Sequence, residues 1–161
     1  MKQIYLIILL MFAASFHAQA QDAELRDRYE IANVMNSYAL SLDTQDYTLL
    51  RSIFLVDVEV TIVFDANSPD EGVVQLSGLD NWIKYVRKAL EGTSASQHLL
   101  GNPMISLTGD TAVVRTDLQA TEYYKDKNKP KTTVWGFYET HMVKDRNWKI
   151  KKHTLTSIGA E

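Results

Sequence analysis

From Gln97 onward the chain is one long run of strand and turn patterns, and this run limits the possible folds more than any other feature. Four stretches with β character, 97–107, 111–124, 132–143 and 148–156, are separated by short turns containing Gly, Asp, Asn, Lys or Pro. Turns of this length join antiparallel neighbours. The sequence therefore predicts an antiparallel meander in the second half of the chain.

The first half supplies helices that such a sheet can cover. Between Asp22 and Leu42 the apolar residues recur at helical spacing and form one stripe: Ile31, Val34, Met35, Tyr38, Ala39 and Leu42. We also expect a helix at 47–54, strands at 58–64 and 73–76 joined by a loop at 66–72, and a helix at 80–90 capped by Ser77 or Asp80 and followed by Gly92. The predicted fold class is α+β: a curved antiparallel sheet wrapped around N-terminal helices, forming a cone with an internal pocket.

Composition and missing motifs exclude several classes of function. The 161 residues are 45% hydrophobic and 23% charged, which is typical of one globular domain, and the formal charge of -3 provides no basic surplus for binding nucleic acid. The absence of cysteine removes disulfides, thiol nucleophiles, Cys-ligated zinc and a lipid-anchor cysteine. No phosphate-binding loop, dinucleotide fingerprint, nucleophile elbow or metal motif is present, so we expect neither a cofactor nor a metal.

The first twenty residues have the composition of an export signal. Lys2 precedes an apolar run at 4–16, and His17-Ala18-Gln19-Ala20 then gives an Ala-x-Ala pattern suited to a signal peptidase. The run is shorter than the roughly 20 apolar residues that span a bilayer. We predict a signal peptide at 1–20 cleaved after Ala20, a domain at 21–161, and a periplasmic or secreted protein without membrane attachment; the alternative is an uncleaved anchor helix.

If the protein is catalytic, protonable side chains must carry the chemistry. Asp43 follows the last apolar residue of the first helix, where its carboxylate can reach the interior, although Asp43 or Asp46 can instead cap the next helix. His98 begins a long strand and precedes two leucines, as either a catalytic base or a hydrogen-bonded core histidine. His141 and His153 are weaker candidates, with surface or network roles.

Tyr38 and Glu122 are the other two candidates. Tyr38 belongs to the buried helical stripe, as a site residue or a core tyrosine. Glu122 shares the inward parity of the strand at 111–124, where a carboxylate is costly unless it is paired or lines a polar cavity; a bulge would turn it outward. We expect a substrate pocket lined by Ile62, Phe64, Trp82, Leu100, Trp135 and Phe137, although the last two can instead fill the core.

The chain resembles the SnoaL-like family of the nuclear-transport-factor-2-like (NTF2-like) superfamily of cone-shaped α+β domains. The resemblance covers residues 25–156 and rests on IANVMNSYALSLDTQDYTLLRSIFLVDV (31–58), GLDNWIKYV (78–86), SQHLLGN (96–102), GDTAVVRT (109–116), WGFYE (135–139) and NWKIKKHTL (147–155). Within the superfamily, the chain is most similar to the branch of scytalone dehydratase and bile acid 7α-dehydratase, which are cofactor-free lyases.

This resemblance implies roles for the candidate residues. Asp43 matches the aspartate that follows the first helix in both enzymes, and His98 matches the histidine of their Gln-His motif. Tyr38 and Glu122 match a catalytic tyrosine and an acid of the bile acid enzyme. Leu42 and Ile62 stand where scytalone dehydratase has two tyrosines, so we do not expect the same substrate.

The expected function is a cofactor-independent, dehydratase-like lyase or isomerase that acts on a hydrophobic, oxygenated small molecule. In this hypothesis His98, oriented by Asp43 or Glu122, removes a proton next to a carbonyl, and Tyr38 donates a hydrogen bond where negative charge develops. The alternatives are a non-catalytic ligand-binding or oligomerising domain and a secreted immunity or toxin-partner module. The resemblance also implies a homodimer or homotrimer.

Overall fold

The computed structural model describes the backbone of residues 2–64 and 72–161, and the side chains of residue 19 and of residues 21 onward within these ranges. The elements are helices α1 (Lys2–Asp43), α2 (Tyr47–Ser52) and α3 (Leu79–Ala89) and strands β1 (Phe54–Phe64), β2 (Gly72–Ser77), β3 (Thr93–Thr108), β4 (Thr111–Tyr124), β5 (Thr132–Asp145) and β6 (Asn147–Ala160). The predicted α+β class is confirmed. The predicted loop 66–72 lies outside the described residues except for Gly72.

The six strands form one curved, unclosed sheet in the order β2-β1-β6-β5-β4-β3. The predicted meander from β3 to β6 is confirmed, with antiparallel pairing at each step. The sheet is nevertheless mixed, because β1 pairs with β6 in parallel. A short turn forces antiparallel pairing, whereas the long path from β1 to β6 through α3 and four strands leaves their relative direction free.

The stripe on α1 packs against the concave face of the sheet, as predicted. All six of its residues are buried, and they join the core with the inward side chains of β4: Ala112, Val114, Thr116, Leu118 and Ala120. Asp27 fastens the same helix to the sheet, because its carboxylate accepts hydrogen bonds from Lys144 Nζ at 2.6 Å and Trp148 Nε1 at 2.9 Å. The hydrogen bond from Lys144 lowers the pKa of Asp27.

Some predicted element ends differ from the structure. Helix α1 begins at Lys2 rather than near Asp22, and β1 begins at Phe54, directly after α2. Neither Ser77 nor Asp80 caps α3, because Gly78 occupies the N-cap position with a φ of 86°. In the part of the chain that the structure describes, no helix has the length and apolar character needed to cross a membrane. Cleavage after Ala20 stays a prediction.

Gly136 lies where β5 and β6 shift register, and it brings the two backbones into close contact. A Cβ atom at Gly136 would lie 2.2 Å from the carbonyl oxygen of Thr156, whereas one at Gly159, at the other side of the same shift, would meet no atom within 4 Å. Backbone atoms cannot move away as a flexible side chain can. We therefore expect Gly136→Ala to lower the free energy of unfolding by about 2 kcal/mol or more.

Urea unfolding of Gly136→Ala and Gly159→Ala checks this prediction, with Gly159→Ala expected within about 0.5 kcal/mol of the unmodified chain. Equal stability of the two variants would contradict the close contact at Gly136.

Candidate active site

A cavity of about 390 Å³ lies between the helices and the concave face of the sheet. The predicted pocket residues Ile62, Phe64 and Trp82 line it, and Trp82 stacks on Tyr85 with the ring centroids 5.9 Å apart. Tyr38, His98, Glu122 and Tyr138 also line it. Apolar and aromatic walls with a few converging polar groups are typical of small-molecule sites.

Three predicted pocket residues lie elsewhere. Leu100 lines a separate space of about 60 Å³ between α1 and strands β3 and β4. Trp135 and Phe137 are on the outer face of the sheet, because Val134, Gly136 and Tyr138 take the inward positions of β5. There, Phe137 packs under the guanidinium of Arg115, 4.5 Å from the ring centroid. Their aromatic character suggested a pocket, but the alternation of the strand directs them outward.

Asp43 and His98 meet at the edge of the cavity, although 55 positions separate them in sequence. Asp43 Oδ1 lies 2.7 Å from His98 Nδ1, and the backbone N–H of His98 donates to the same carboxylate at 2.9 and 3.1 Å. The side chain of His98 is 7% exposed and that of Asp43 is 24% exposed. The carboxylate therefore fixes both the position of the strand and the orientation of the imidazole.

Local structure at the end of α1 leaves Asp43 free for this contact. Asp46, and not Asp43, caps α2, since its carboxylate accepts from the backbone N–H groups of Thr48 and Leu49. Gln45, two residues after the end of α1, lies in the left-handed region with a φ of 54°, and its side chain donates to Thr93 Oγ1 at 3.0 Å. The end of α1 is thereby attached to the beginning of β3, the strand that carries His98.

The hydrogen bond to Asp43 selects one tautomer of neutral His98. A carboxylate only accepts hydrogen bonds, so Nδ1 carries the proton and Nε2 carries the lone pair. Nε2 makes no hydrogen bond to any residue of the described ranges, and the side chain faces the cavity. His98 can therefore take a proton from a bound molecule, and Asp43 can stabilise the imidazolium that forms.

Tyr38 and Tyr138 form a hydrogen-bonded pair of phenols that lines the same cavity as His98. Their ring centroids are 5.3 Å apart, and each residue is 2% exposed. Burial raises the pKa of Tyr38, with partial compensation by the hydrogen bond from Tyr138, and burial also raises the pKa of Tyr138. Both phenols stay protonated donors. Tyr138 is not among the predicted site residues, although strand alternation places it on the face opposite to Trp135 and Phe137.

His153 supports the two tyrosines from within the core. Its ring is fully buried, its centroid lies 4.7 Å from those of Tyr38 and Tyr138, and Nδ1 is 2.8 Å from Thr140 Oγ1. Burial lowers the pKa of His153 to about 3, so the ring is neutral at physiological pH. The sequence predicts a surface or network role for His153, and the structure places it in a buried network.

Glu122 faces the cavity, as strand parity predicted. The pairing of β4 with β5 runs without a register shift from Thr111 to Glu122, so no bulge turns the side chain outward. Its Oε2 accepts a hydrogen bond from Tyr124 Oη at 3.2 Å. Asp43, not Glu122, is hydrogen-bonded to the ring of His98.

His141 lies on the outer face of the sheet, where its Nε2 is 3.2 Å from Glu139 Oε1.

No group of three or more His, Cys, Asp or Glu side chains within the described ranges is arranged to hold a metal ion. The site that the geometry defines is an imidazole held by a carboxylate, two buried phenols and a second carboxylate in a largely apolar cavity.

A family model described as a SnoaL-like domain matches residues 23–154. A provisionally assigned scytalone dehydratase from Novosphingobium aromaticivorans is 24% identical, with a TM-score of 0.74 over 88% of this chain and 90% of that one. The hexachlorocyclohexane dehydrochlorinase of Novosphingobium barchaimii is 16% identical, with a TM-score of 0.71 over 86% and 90% of the two chains. These likenesses show the fold alone. None of the curated proteins compared with the sequence matches it.

The buried imidazole of His153 predicts a loss of stability in acid. Its pKa is about 3 in the folded protein against 6.5 in the unfolded chain, so between these values the unfolded chain binds a proton that the folded protein excludes. Stability therefore falls as the pH decreases from 6.5 to 3, by up to about 1.4 kcal/mol per pH unit from this residue.

Urea unfolding measured across this pH range checks the prediction with His153→Asn, which should flatten the dependence. His141→Asn, on the outer face, is the control and should keep the original slope. An unchanged slope in His153→Asn would contradict the buried neutral state.

Proposed function

Because the chain belongs to the SnoaL-like domain family, we propose that it is a cofactor-independent lyase or isomerase acting on a hydrophobic, oxygenated small molecule. The observation that carries the proposal is the 2.7 Å contact that holds His98 against Asp43 at a cavity large enough for such a molecule. A histidine held in one tautomer by a carboxylate is a common design for a general base.

In the proposed reaction, His98 Nε2 removes a proton from the carbon next to a carbonyl group. The electrons of the broken C–H bond move into the carbonyl, and the resulting imidazolium is stabilised by Asp43 Oδ1 at its other nitrogen. In an elimination the enolate then expels a hydroxyl group that takes the proton from His98, and water leaves. In an isomerisation His98 returns the proton to another carbon, so neither route requires an oxidant or a reductant.

The negative charge on the enolate oxygen needs a donor, and the tyrosine pair can supply one. Two phenols contain two hydroxyl protons, and the hydrogen bond between Tyr38 and Tyr138 uses one of them. The second proton is available to a ligand oxygen. Donors held in a dry site need little reorganisation when charge develops, and one such donor accounts for about 10²–10³ in rate.

The structural neighbours support this class of reaction. A dehydratase eliminates water and a dehydrochlorinase eliminates hydrogen chloride, and both eliminations remove a proton from carbon. We further propose that the protein acts in the periplasm or outside the cell after cleavage at Ala20. Its proposed assembly is a homodimer or homotrimer built through the outer sheet face that carries Trp135 and Phe137.

Removing the base tests the enzyme hypothesis against non-catalytic binding. We expect His98→Ala to lower turnover by about 10²–10⁴ and Asp43→Asn to lower it strongly, because the base or its orientation is lost. A panel of cyclic β-hydroxyketones provides the assay, with enone formation followed by absorbance and α-proton exchange into D₂O by NMR.

The matched control is His141→Ala, which removes a histidine from the outer face and should keep full activity. A ketone from the panel that the unmodified protein turns over should still bind to His98→Ala. Unchanged exchange in both site variants would overturn the proposed base, and binding without turnover in the unmodified protein would favour a ligand-binding domain.

Removing the donors tests the role of the tyrosine pair. We expect Tyr38→Phe to lower kcat by about 10²–10³ while KM changes little, because the hydrogen bond to the ligand strengthens only as charge develops. Tyr138→Phe should lower kcat less, because Tyr38 keeps its proton. Circular dichroism and melting temperature identify any loss due to folding. Full activity of the double variant would exclude the pair from the reaction.

A further inference from the structure

Glu122 is a cavity-facing carboxylate with incomplete hydrogen bonding. It does not orient the ring of His98, because Asp43 does so. Tyr124 has one hydroxyl proton, and Oε2 of Glu122 at 3.2 Å competes for it with Thr132 Oγ1 at 3.0 Å. Oε1 has no hydrogen-bond partner in the described part of the chain. A half-buried carboxylate with so few donors gains stability from any further donor that enters the cavity.

The charges around the cavity are strongly asymmetric. Of the described residues that line it, none is lysine or arginine, and only His98 can acquire a positive charge. Lys129 lies outside the lining, with its ammonium 3.4 Å from the centroid of the Tyr124 ring, and Lys131 is directed to Thr133 on the outer face. No cation therefore forms an ion pair with Glu122 among the described residues.

Much of the rest of the cavity is apolar. Ile62, Phe64, Trp82 and Leu155 line it, and Trp82 and Tyr85 present stacked rings. A ligand that fills this space has an apolar, ring-containing body. Where this body reaches Glu122, the chemistry favours a group that donates a hydrogen bond and opposes a group with negative charge.

We infer that Glu122 is a specificity-determining residue: its free oxygen accepts a hydrogen bond from a hydroxyl group of an uncharged ring compound, and its charge excludes carboxylates and phosphates of the same shape. The inference rests on the proposed function only in taking this cavity as the substrate site. It narrows the substrate class from oxygenated hydrophobic molecules to uncharged, hydroxylated ones.

Calorimetric binding of 2-naphthol and 2-naphthoate at neutral pH tests the inference without turnover. These probes share one ring system and differ in carrying a hydroxyl or an anionic group. We expect the unmodified protein to bind 2-naphthol at least about tenfold more tightly than 2-naphthoate, and Glu122→Gln to reduce this ratio to about threefold or less. The side-chain volume is retained in this variant, so the change reports charge.

The matched control is Glu139→Gln, which removes the same charge from the outer face and should keep the tenfold preference. If Glu122→Gln melts at a markedly lower temperature, Glu122→Asp provides the second test, because it retains the charge and should still reject 2-naphthoate. The inference is overturned if Glu122→Gln keeps the original ratio, if the unmodified protein prefers 2-naphthoate, or if it fails to bind 2-naphthol at about 1 mM.

Failure of this inference is distinguishable from failure of the proposed reaction. Loss of the binding preference in this experiment concerns Glu122 alone, whereas unchanged exchange in His98→Ala and Asp43→Asn concerns the base. A protein that prefers 2-naphthol but does not catalyse exchange would retain the selectivity assigned here and lose the reaction.

Discussion

The contact between Asp43 and His98 joins the end of α1 to the first long strand of the meander, and much of the site depends on it. The carboxylate binds the ring and the backbone N–H of the same residue, so it constrains the imidazole and the strand together. Loss of this contact would affect both the orientation of His98 and the position of α1. The stripe of α1 that carries Tyr38 also forms the inner wall of the cavity. The geometry that orients the proposed base is thus also a tertiary contact of the fold.

The polar groups behind the cavity show how the core accommodates chemistry. Tyr38, Tyr138 and His153 are almost completely buried, and unpaired groups at this depth are costly. The phenols are hydrogen-bonded to each other, and the imidazole reaches Thr140 through Nδ1, while its Nε2 has no partner among the described residues. Neutral His153 fills space between rings without adding charge next to the phenols. The same burial that keeps the phenols protonated makes the core sensitive to acid.

The sequence indicates the elements, the four proposed catalytic residues and half of the predicted pocket lining, and the reasons for success and failure are physical. Helical spacing places Tyr38 inside, and strand alternation places Glu122 inside, because these periods depend only on local geometry. Trp135 and Phe137 were assigned by residue type, which is weaker information than the parity that places Tyr138 inward. The parallel pairing of β1 with β6, and the choice of Asp43 rather than Glu122 as partner of His98, depend on distant segments meeting. One sequence contains no direct record of such contacts.

The arrangement of charges also fixes how a substrate must lie if the proposed reaction is correct. Proton removal by neutral His98 creates an imidazolium and an enolate, and Asp43 stabilises the first but would repel the second. The enolate oxygen must therefore lie at the tyrosine pair, where a phenol can donate to it, and away from Glu122. The hydroxyl group that donates to Glu122 is then a different oxygen from the one that takes the negative charge. Two carboxylates near the cavity are then compatible with enolate formation, because a phenol donates to the enolate oxygen while Glu122 accepts from a separate hydroxyl group.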